Sequence, residues 1–183
     1  MKPLRIRKEE SILVLIDFQE RLMPAMKGNE ELEKAAVKLV KGCRILGVPV
    51  LVTQQYTKGL GPTIPSIHEA LGEYEPIEKT AFSAMGEPLF VEKLKESKRK
   101  TVILAGIESH VCVLQTALDL MEAGYSVFLV NDCVASRSNT DKKYAQRRIA
   151  ESGAVGTTYE SVLFELLGDA KSEGFKDISA LVK

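Results

Sequence analysis

The alternation of short apolar runs with helix-length segments constrains the fold of this chain more than any other feature. The runs are rich in branched aliphatic residues, as expected for strands that are buried on both faces of a sheet. They occupy Ile12–Ile16, Val48–Thr53, Thr101–Ala105, Ser126–Val130 and Ala154–Thr158. Because parallel strands need long crossovers, usually helices, this pattern predicts a three-layer α-β-α sandwich with a mostly parallel open sheet. No repeat or linker divides the sequence, so we expect residues 1–183 to form one domain.

Composition and charge argue against several classes of function. The 25 Lys and Arg residues balance the 25 Asp and Glu residues, so no net charge favours nucleic acid or an anionic membrane as a partner. The sequence has no apolar run of bilayer-spanning length and no recognisable signal peptide. Its three cysteines lack the spacing of a disulfide framework. We therefore expect a cytoplasmic protein.

Cys112 lies where a predicted strand turns into a helix. Residues 101–105 read as the strand, and residues 113–122 have helix-forming side chains with helical apolar spacing. Backbone N–H groups at a helix start stabilise a thiolate and can hold an oxyanion. A free cysteine is nevertheless often a small buried packing residue. We predict that packing role for Cys43 and Cys133.

Two charged residues strengthen the case for chemistry at Cys112. Asp17 follows the first apolar run, and Lys79 lies at another predicted strand end or loop. Active sites of open α/β sheets form beyond the carboxyl ends of the strands, so these three side chains could meet at one edge. A lysine cation and a carboxylate base are the groups that activate a thiol. Taken singly, however, the aspartate could cap a turn and the lysine could be solvated.

Three motifs carry a resemblance to a known family. Asp17 stands in Leu-Ile-Asp-Phe-Gln, Lys79 in Glu-Lys-Thr-Ala-Phe-Ser, and Cys112 in Gly-Ile-Glu-Ser-His-Val-Cys-Val. In this order they resemble the isochorismatase-like cysteine hydrolase superfamily, which includes nicotinamidases and related amidohydrolases. The resemblance extends from Ser11 to Leu167. Residues 55–63 are similar to the corresponding loop of the metal-free branch.

The resemblance implies a mechanism and the residues that perform it. Asp17, Lys79 and Cys112 would form a catalytic triad, and the thiol would attack a carbonyl to give a thioester. The backbone N–H groups of Glu108 and Cys112 would bind the oxyanion. The family pattern also places a cis peptide bond between Ile107 and Glu108. Members of the family usually associate, so we expect a homo-oligomer.

Several side chains beside the triad are candidates for a substrate pocket, although aromatic residues near strand ends often belong to the core. These candidates are Phe18, Gln19, Tyr56, Phe82 and His110. The segment between Gln54 and Thr80 is rich in Gly and Pro, which predicts a long irregular loop. Such a loop would form a pocket wall or an oligomer contact. We expect that contact to involve the apolar residues of Gly59–Pro65 and of the chain's tail.

Metal ligands are sparse in the sequence. Nicotinamidases of the resembled family carry an aspartate and two histidines after the second strand, where this chain has Thr53-Gln54-Gln55-Tyr56. Its two histidines are His68, which we expect in an exposed loop, and His110, which we expect at the pocket edge. Two histidines so placed do not make a ligand set. The sequence predicts neither a metal nor a cofactor.

These observations predict a cysteine hydrolase that acts on a small-molecule amide or related carbonyl substrate. The helix start and the lysine predict that Cys112 is an unusually acidic thiol. Hydrolysis of a vinyl ether, as in isochorismatases proper, needs no cysteine nucleophile and stays a second interpretation. A third is a non-hydrolytic protein of the same fold that binds small molecules or reacts through its thiol.

Overall fold

A computed structural model describes residues 5–183. Six strands form one parallel sheet: β1 (Ser11–Ile16), β2 (Val50–Gln55), β3 (Ile77–Lys79), β4 (Thr101–Ile107), β5 (Ser126–Ala135) and β6 (Val155–Thr157). Their order is β3-β2-β1-β4-β5-β6, and every neighbouring pair is parallel. The two central strands, β1 and β4, are therefore the strands that precede Asp17 and Cys112.

Helices cover both faces of this sheet. The α-helices are α1 (Asn29–Ile45), α2 (Thr57–Leu60), α3 (Pro65–Leu71), α4 (Pro88–Glu96), α5 (Leu114–Glu122), α6 (Asn139–Glu151), α7 (Tyr159–Leu167) and α8 (Phe175–Val182). Buried side chains of α1, α3, α7 and α8 form one core layer, and those of α4, α5 and α6 form the other. This is the predicted three-layer α-β-α architecture.

Strand β1 shows why the sheet is buried on both sides. All its residues are buried, and their side chains alternate between the two cores. Leu13 and Leu15 belong to the layer with α1, whereas Val14 and Ile16 belong to the layer with α5. An unbroken apolar run is thus what a central parallel strand requires.

The segment from residue 54 to residue 80 differs from the prediction. It contains the end of β2, the helices α2 and α3, and the edge strand β3, so it is not a long irregular loop. Strand β3 pairs only over Thr53–Gln55 of β2, and such a short run gives a weak sequence signal. The glycines and prolines that suggested a loop instead punctuate short elements, with Pro65 opening α3.

The apolar residues expected to make an oligomer contact differ in how far they are buried within the chain. In the tail, Ile178 of α8 is buried in the core layer that contains α1. In the Gly59–Pro65 segment, Ile64 is buried as well, whereas Leu60 is half-buried and Pro62 and Pro65 are exposed. The two regions therefore keep part of their apolar surface exposed, and the expected contact stays a prediction.

Parallel strands place their carboxyl ends along one edge of the sheet, and that edge collects the candidate residues. Asp17 follows β1, Lys79 ends β3, and Cys112 lies shortly after β4. Strands β2 and β3 lie on one side of β1, and β4, β5 and β6 lie on the other. The strand order therefore reverses between β1 and β4, and this reversal is the switch point where open α/β sheets bind ligands. Within residues 5–183, no helix combines the length and the apolar character needed to cross a membrane.

Candidate active site

Asp17 is a buried carboxylate at the end of β1. It has a positive φ of 53°, a conformation that Asp adopts more readily than most residues. Its carboxylate is fully buried, and the Thr53 hydroxyl donates to Oδ1 over 2.7 Å. Oδ2 accepts from the Lys79 ammonium over 2.8 Å. A carboxylate offers about four acceptor positions, so two such bonds leave capacity for a further proton donor.

Lys79 is a buried ammonium that has more acceptors than hydrogens. Its Nζ lies 2.8 Å from Asp17 Oδ2 and 2.7 Å from Gln55 Oε1. The carbonyl oxygens of Ala81 and Phe82 both lie at 3.2 Å. An ammonium has three hydrogens, so these four acceptors use all of them. Lys79 is therefore a fixed cation in the resting site.

Cys112 reaches this pair from the opposite side of β1. A close approach of β4 to β1 makes this possible, because Gly106 has a φ of 141° and lies directly against the backbone of Ile16. A Cβ at Gly106 would overlap Ile16. The thiol is close enough to Asp17 and Lys79 for both side chains to affect its pKa by hydrogen bonding. Thus the structure brings the three predicted residues together.

The local structure around Cys112 differs from the prediction in one respect. The helix begins before the cysteine, because Ser109–Val113 form a π-helical turn that continues into α5. The carbonyl oxygen of Glu108 accepts from the N–H groups of Val111 and Val113 over 3.1 and 3.2 Å. π-Turns of this kind are frequent at functional sites. Cys112 therefore lies inside the first turn, with 7% of its surface exposed.

The prediction of an unusually acidic thiol is wrong for the resting site. The pKa of Cys112 is raised to about 12, mainly by burial and next by the charge of Asp17, although Lys79 lowers it. Burial also raises the pKa of Cys43 to about 12. The lysine thus offsets only part of the desolvation cost, since Asp17 opposes it. Sequence reasoning counted the cation and the helix start but not the burial.

Glu108 follows the cis peptide bond, which joins it to Ile107. Its carboxylate accepts from Nε of Arg137 over 2.7 Å, and Nε2 of His110 lies 3.9 Å from the same oxygen. The other ring nitrogen of His110 lies 3.0 Å from the hydroxyl of the buried Ser136. The side chain of Glu108 is therefore bonded to Arg137, which follows the neighbouring strand β5.

The structure separates the five pocket candidates. Phe18 is buried in the core layer with α1, as is common for aromatic residues near strand ends. Gln19 is also fully buried, and its amide bonds the backbone of Gln55 rather than facing a pocket. Tyr56 and Phe82 are 52% and 54% exposed. They flank Gln55 and Lys79 in the chain and stay candidates for the pocket wall.

Sequence reasoning missed two polar residues of β2. Thr53 bonds Asp17, and Gln55 bonds Lys79. They are two positions apart on one strand, so their side chains lie on the same face of the sheet. Polar residues at the carboxyl end of an otherwise apolar strand were the signal that could have found them.

The histidines do not assemble a metal site. His68 is exposed, as expected, but on helix α3 instead of a loop, and its ring faces Tyr74. Among the described residues, no group of three or more His, Cys, Asp or Glu side chains is placed to hold a metal ion. Cys133, like Cys43, is fully buried, in agreement with a packing role.

Comparison with known proteins decides the family. The model of the isochorismatase domain matches residues 11–161. The chain belongs to the isochorismatase family. Isochorismatase domain-containing protein 2 of Danio rerio is 40% identical over 179 residues, which cover 97% of this chain and 89% of the relative.

Solved structures agree with this assignment. The MAR1 ribonuclease of Caenorhabditis elegans is 42% identical, with a TM-score of 0.92 over 97% of this chain and 92% of its own. The YcaC gene product of Escherichia coli, described as an octameric hydrolase of unknown specificity, is 24% identical and has the same fold. It has a TM-score of 0.92 over 99% of this chain and 91% of its own. The isochorismatase-family fold thus extends over nearly the whole chain.

Proposed function

We propose that this isochorismatase-family protein hydrolyses a small amide or related carbonyl compound through a thioester on Cys112. The observation that carries the proposal is the thiol of Cys112 beside a buried Asp17–Lys79 ion pair. Such a pair costs desolvation energy, and a protein gains little stability from it compared with apolar packing. A chemical role accounts for it better, because the pair combines a proton acceptor and a cation at a nucleophile.

In the first half of the proposed reaction, Asp17 accepts the proton of the Cys112 thiol as Sγ attacks the carbonyl carbon. The oxygen of the tetrahedral intermediate carries the negative charge, and the backbone N–H groups of Glu108 and Cys112 are the proposed donors to it. Asp17 then returns the proton to the nitrogen as the C–N bond breaks, which releases the amine and leaves a thioester.

In the second half, Asp17 takes a proton from a water molecule, whose oxygen attacks the thioester carbon. The C–S bond breaks as the second tetrahedral intermediate collapses, and the proton on Asp17 passes to Sγ. The products are an acid and the restored thiol. Lys79 holds the Asp17 side chain in position through both halves, because its ammonium is bonded to Oδ2.

The test is turnover of a panel of small primary amides, followed by ammonia release and by intact mass. We expect repeated turnover and an acyl adduct on Cys112 during the steady state. Cys112→Ser should abolish both, whereas the matched control Cys43→Ser should retain them because Cys43 lies in the core. Turnover that survives in Cys112→Ser would refute the nucleophile. Failure of every amide in the panel would refute the substrate class.

RNA cleavage is a second candidate, favoured by the 42% identity to the MAR1 ribonuclease of Caenorhabditis elegans. The balanced charge of the chain does not by itself favour a polyanionic substrate. Incubation of purified protein with a labelled single-stranded RNA tests this candidate. Cleavage that is lost in Cys112→Ser would assign it to the same site, and cleavage unchanged by that variant would place it elsewhere or in a contaminant.

We also propose that the protein is a homo-oligomer, as the octameric YcaC gene product supports. The half-buried and exposed apolar residues of the tail and of residues 59–65 are the proposed contact surface. Light scattering at micromolar concentration measures this directly.

A further inference from the structure

A hydrogen bond joins the two segments that carry Lys79 and Cys112. The N–H of Ala84 donates to Oγ1 of Thr116 over 2.9 Å, although 32 residues separate the two in the sequence. Ala84 lies shortly after Lys79, and Thr116 lies about one helical turn after Cys112. Both partners of this bond are fully buried, so water does not compete for it. The bond therefore holds the segment after Lys79 at a fixed distance from the helix of the nucleophile.

Thr116 belongs to the helical run that carries Cys112. The π-helical turn Ser109–Val113 continues directly into α5, so the thiol and the threonine lie on one continuous element. Side chains four residues apart are neighbours on a helix surface. Thr116 is therefore a fixed point beside the nucleophile, and its hydroxyl faces the segment that follows Lys79.

Ala84 opens a short 3₁₀ turn, Ala84–Gly86. The first N–H groups of a helical turn have no acceptor inside the turn, and Thr116 supplies one for Ala84. The turn is closed on itself by a local bond, in which the Gly86 N–H donates to the Ser83 carbonyl over 3.1 Å. Thr116 thus attaches this closed turn to α5.

The same turn positions two carbonyl groups around Lys79. Gly86 packs so closely on Ala81 that a Cβ added to the glycine would lie 2.9 Å from the Ala81 Cβ. The carbonyl oxygens of Ala81 and Phe82 each lie 3.2 Å from Lys79 Nζ. A shift of the 3₁₀ turn would therefore displace acceptors that surround the buried ammonium.

We propose that Thr116 is a positioning residue that fixes Lys79 relative to Cys112 through this 3₁₀ turn. The inference rests on the proposed function of the triad. Lys79 is bonded to Asp17, which is the proposed acceptor of the thiol proton. Proton transfer requires donor and acceptor within about 2.6–3.2 Å of each other, so the reaction depends on the placement of the pair beside the sulfur. Thr116 maintains that placement from the side of the nucleophile.

The test compares Thr116→Val with wild type in the ¹H–¹⁵N NMR signal of the Lys79 ammonium, assigned by its loss in Lys79→Met. Valine keeps the branched shape of threonine but removes the acceptor. We expect the ammonium hydrogens to exchange with water about five- to tenfold faster, the ratio that corresponds to one typical hydrogen bond. In the amide assay, kcat should fall about tenfold or more while KM changes less, because misplaced reacting groups slow the chemical step.

Two matched variants separate positioning from a general loss of stability. Thr116→Ser keeps the hydroxyl acceptor, so we expect it to retain the ammonium exchange rate and the kcat of wild type. Ser97→Ala removes a bond of the same kind, because the Ser97 hydroxyl accepts from the Arg99 N–H over 3.2 Å. Ser97 follows α4 and precedes β4, away from the carboxyl ends of the strands. We expect Ser97→Ala to leave ammonium exchange and kcat unchanged.

A second variant keeps the proposal testable if Thr116→Val does not fold. Thr116→Ala leaves room for a water molecule at the Ala84 N–H, so the donor is satisfied while the direct bond is lost. Unchanged ammonium exchange in Thr116→Val or Thr116→Ala would overturn the proposal, as would equally fast exchange in Thr116→Ser or faster exchange without any loss of kcat. The NMR measurement needs no turnover. A wild type that hydrolyses no amide would refute the proposed function, and ammonium exchange would still decide the role of Thr116.

Discussion

Replacement of Lys79 by Met should destabilise the protein strongly, since it leaves a carboxylate buried without its partner. The Asp17 and Lys79 side chains both have 0% exposure, and their contact is 2.8 Å. Removing one member of a buried ion pair typically costs about 3–5 kcal/mol, and the lost bond to Gln55 adds roughly 1 kcal/mol. Domains of this size unfold with only about 5–15 kcal/mol, so Lys79→Met should lose a large share of its stability.

The double variant Asp17→Asn/Lys79→Met separates the cost of the unpaired charge from the cost of the lost packing. Asparagine cannot carry the unpaired charge, so the double variant should regain about 2 kcal/mol or more relative to Lys79→Met.

Urea unfolding followed by circular dichroism, at one protein concentration, measures these differences. Lys93→Met is the matched control, because Lys93 pairs with Glu75 at the surface, with side-chain exposures of 31% and 89%. We expect it to cost less than about 1 kcal/mol. A Lys79→Met variant within about 1 kcal/mol of wild type would refute the buried ion pair. A double variant less stable than Lys79→Met would show that the unpaired charge is not the cause.

Three further predictions follow from the site. In Asp17→Asn an alkylating agent should modify Cys112 faster than in wild type, and in Lys79→Met more slowly, because the aspartate raises the thiol pKa and the lysine lowers it. Both variants should lose turnover. The reverse order of alkylation rates would count against the triad. The pKa of about 12 for Cys112 lies above the ordinary value of 9.0, so the folded state holds this proton more tightly and stability should fall as the pH rises above about 9. In Cys112→Ser, the free energy of unfolding from urea titrations should fall less steeply between pH 8 and 10.5. An unchanged dependence of that free energy on pH would contradict this prediction. Turnover should withstand prolonged chelation, because the ligands of the nicotinamidase metal site are replaced, and activity restored by a divalent metal would disprove this.

The fold could be predicted from the sequence because its strongest signals are long and redundant. The central strands β1 and β4 are unbroken apolar runs, and α1 carries a clear apolar stripe over Asn29–Ile45. Strand β3 gave no comparable signal. It has three residues and lies at the sheet edge, so only its pairing with β2 identifies it as a strand.

The members of the site could also be predicted, but not its electrostatic balance. Asp17, Lys79 and Cys112 stand at strand ends, where open α/β sheets collect functional groups. The pKa of the thiol, in contrast, depends on its burial and on the balance between Asp17, which raises the pKa, and Lys79, which lowers it. Both are properties of the packed structure. A motif specifies which charges approach the cysteine, whereas the packing around the thiol decides how strongly burial opposes its ionisation.

Strand β2 connects the sequence motif with the electrostatics of the packed site. In the sequence, Thr53-Gln54-Gln55-Tyr56 occupies the place where nicotinamidases carry metal ligands. In the structure, Thr53 and Gln55 bind the two members of the ion pair, one each, and thereby fix the separation of carboxylate and ammonium. Two neutral side chains on one face of the strand thus hold the charged pair through hydrogen bonds. It follows that Thr53→Val and Gln55→Met should act on different members of the pair, the first on Asp17 and the second on Lys79. Their effects on turnover should be less than additive, because the pair works as one unit.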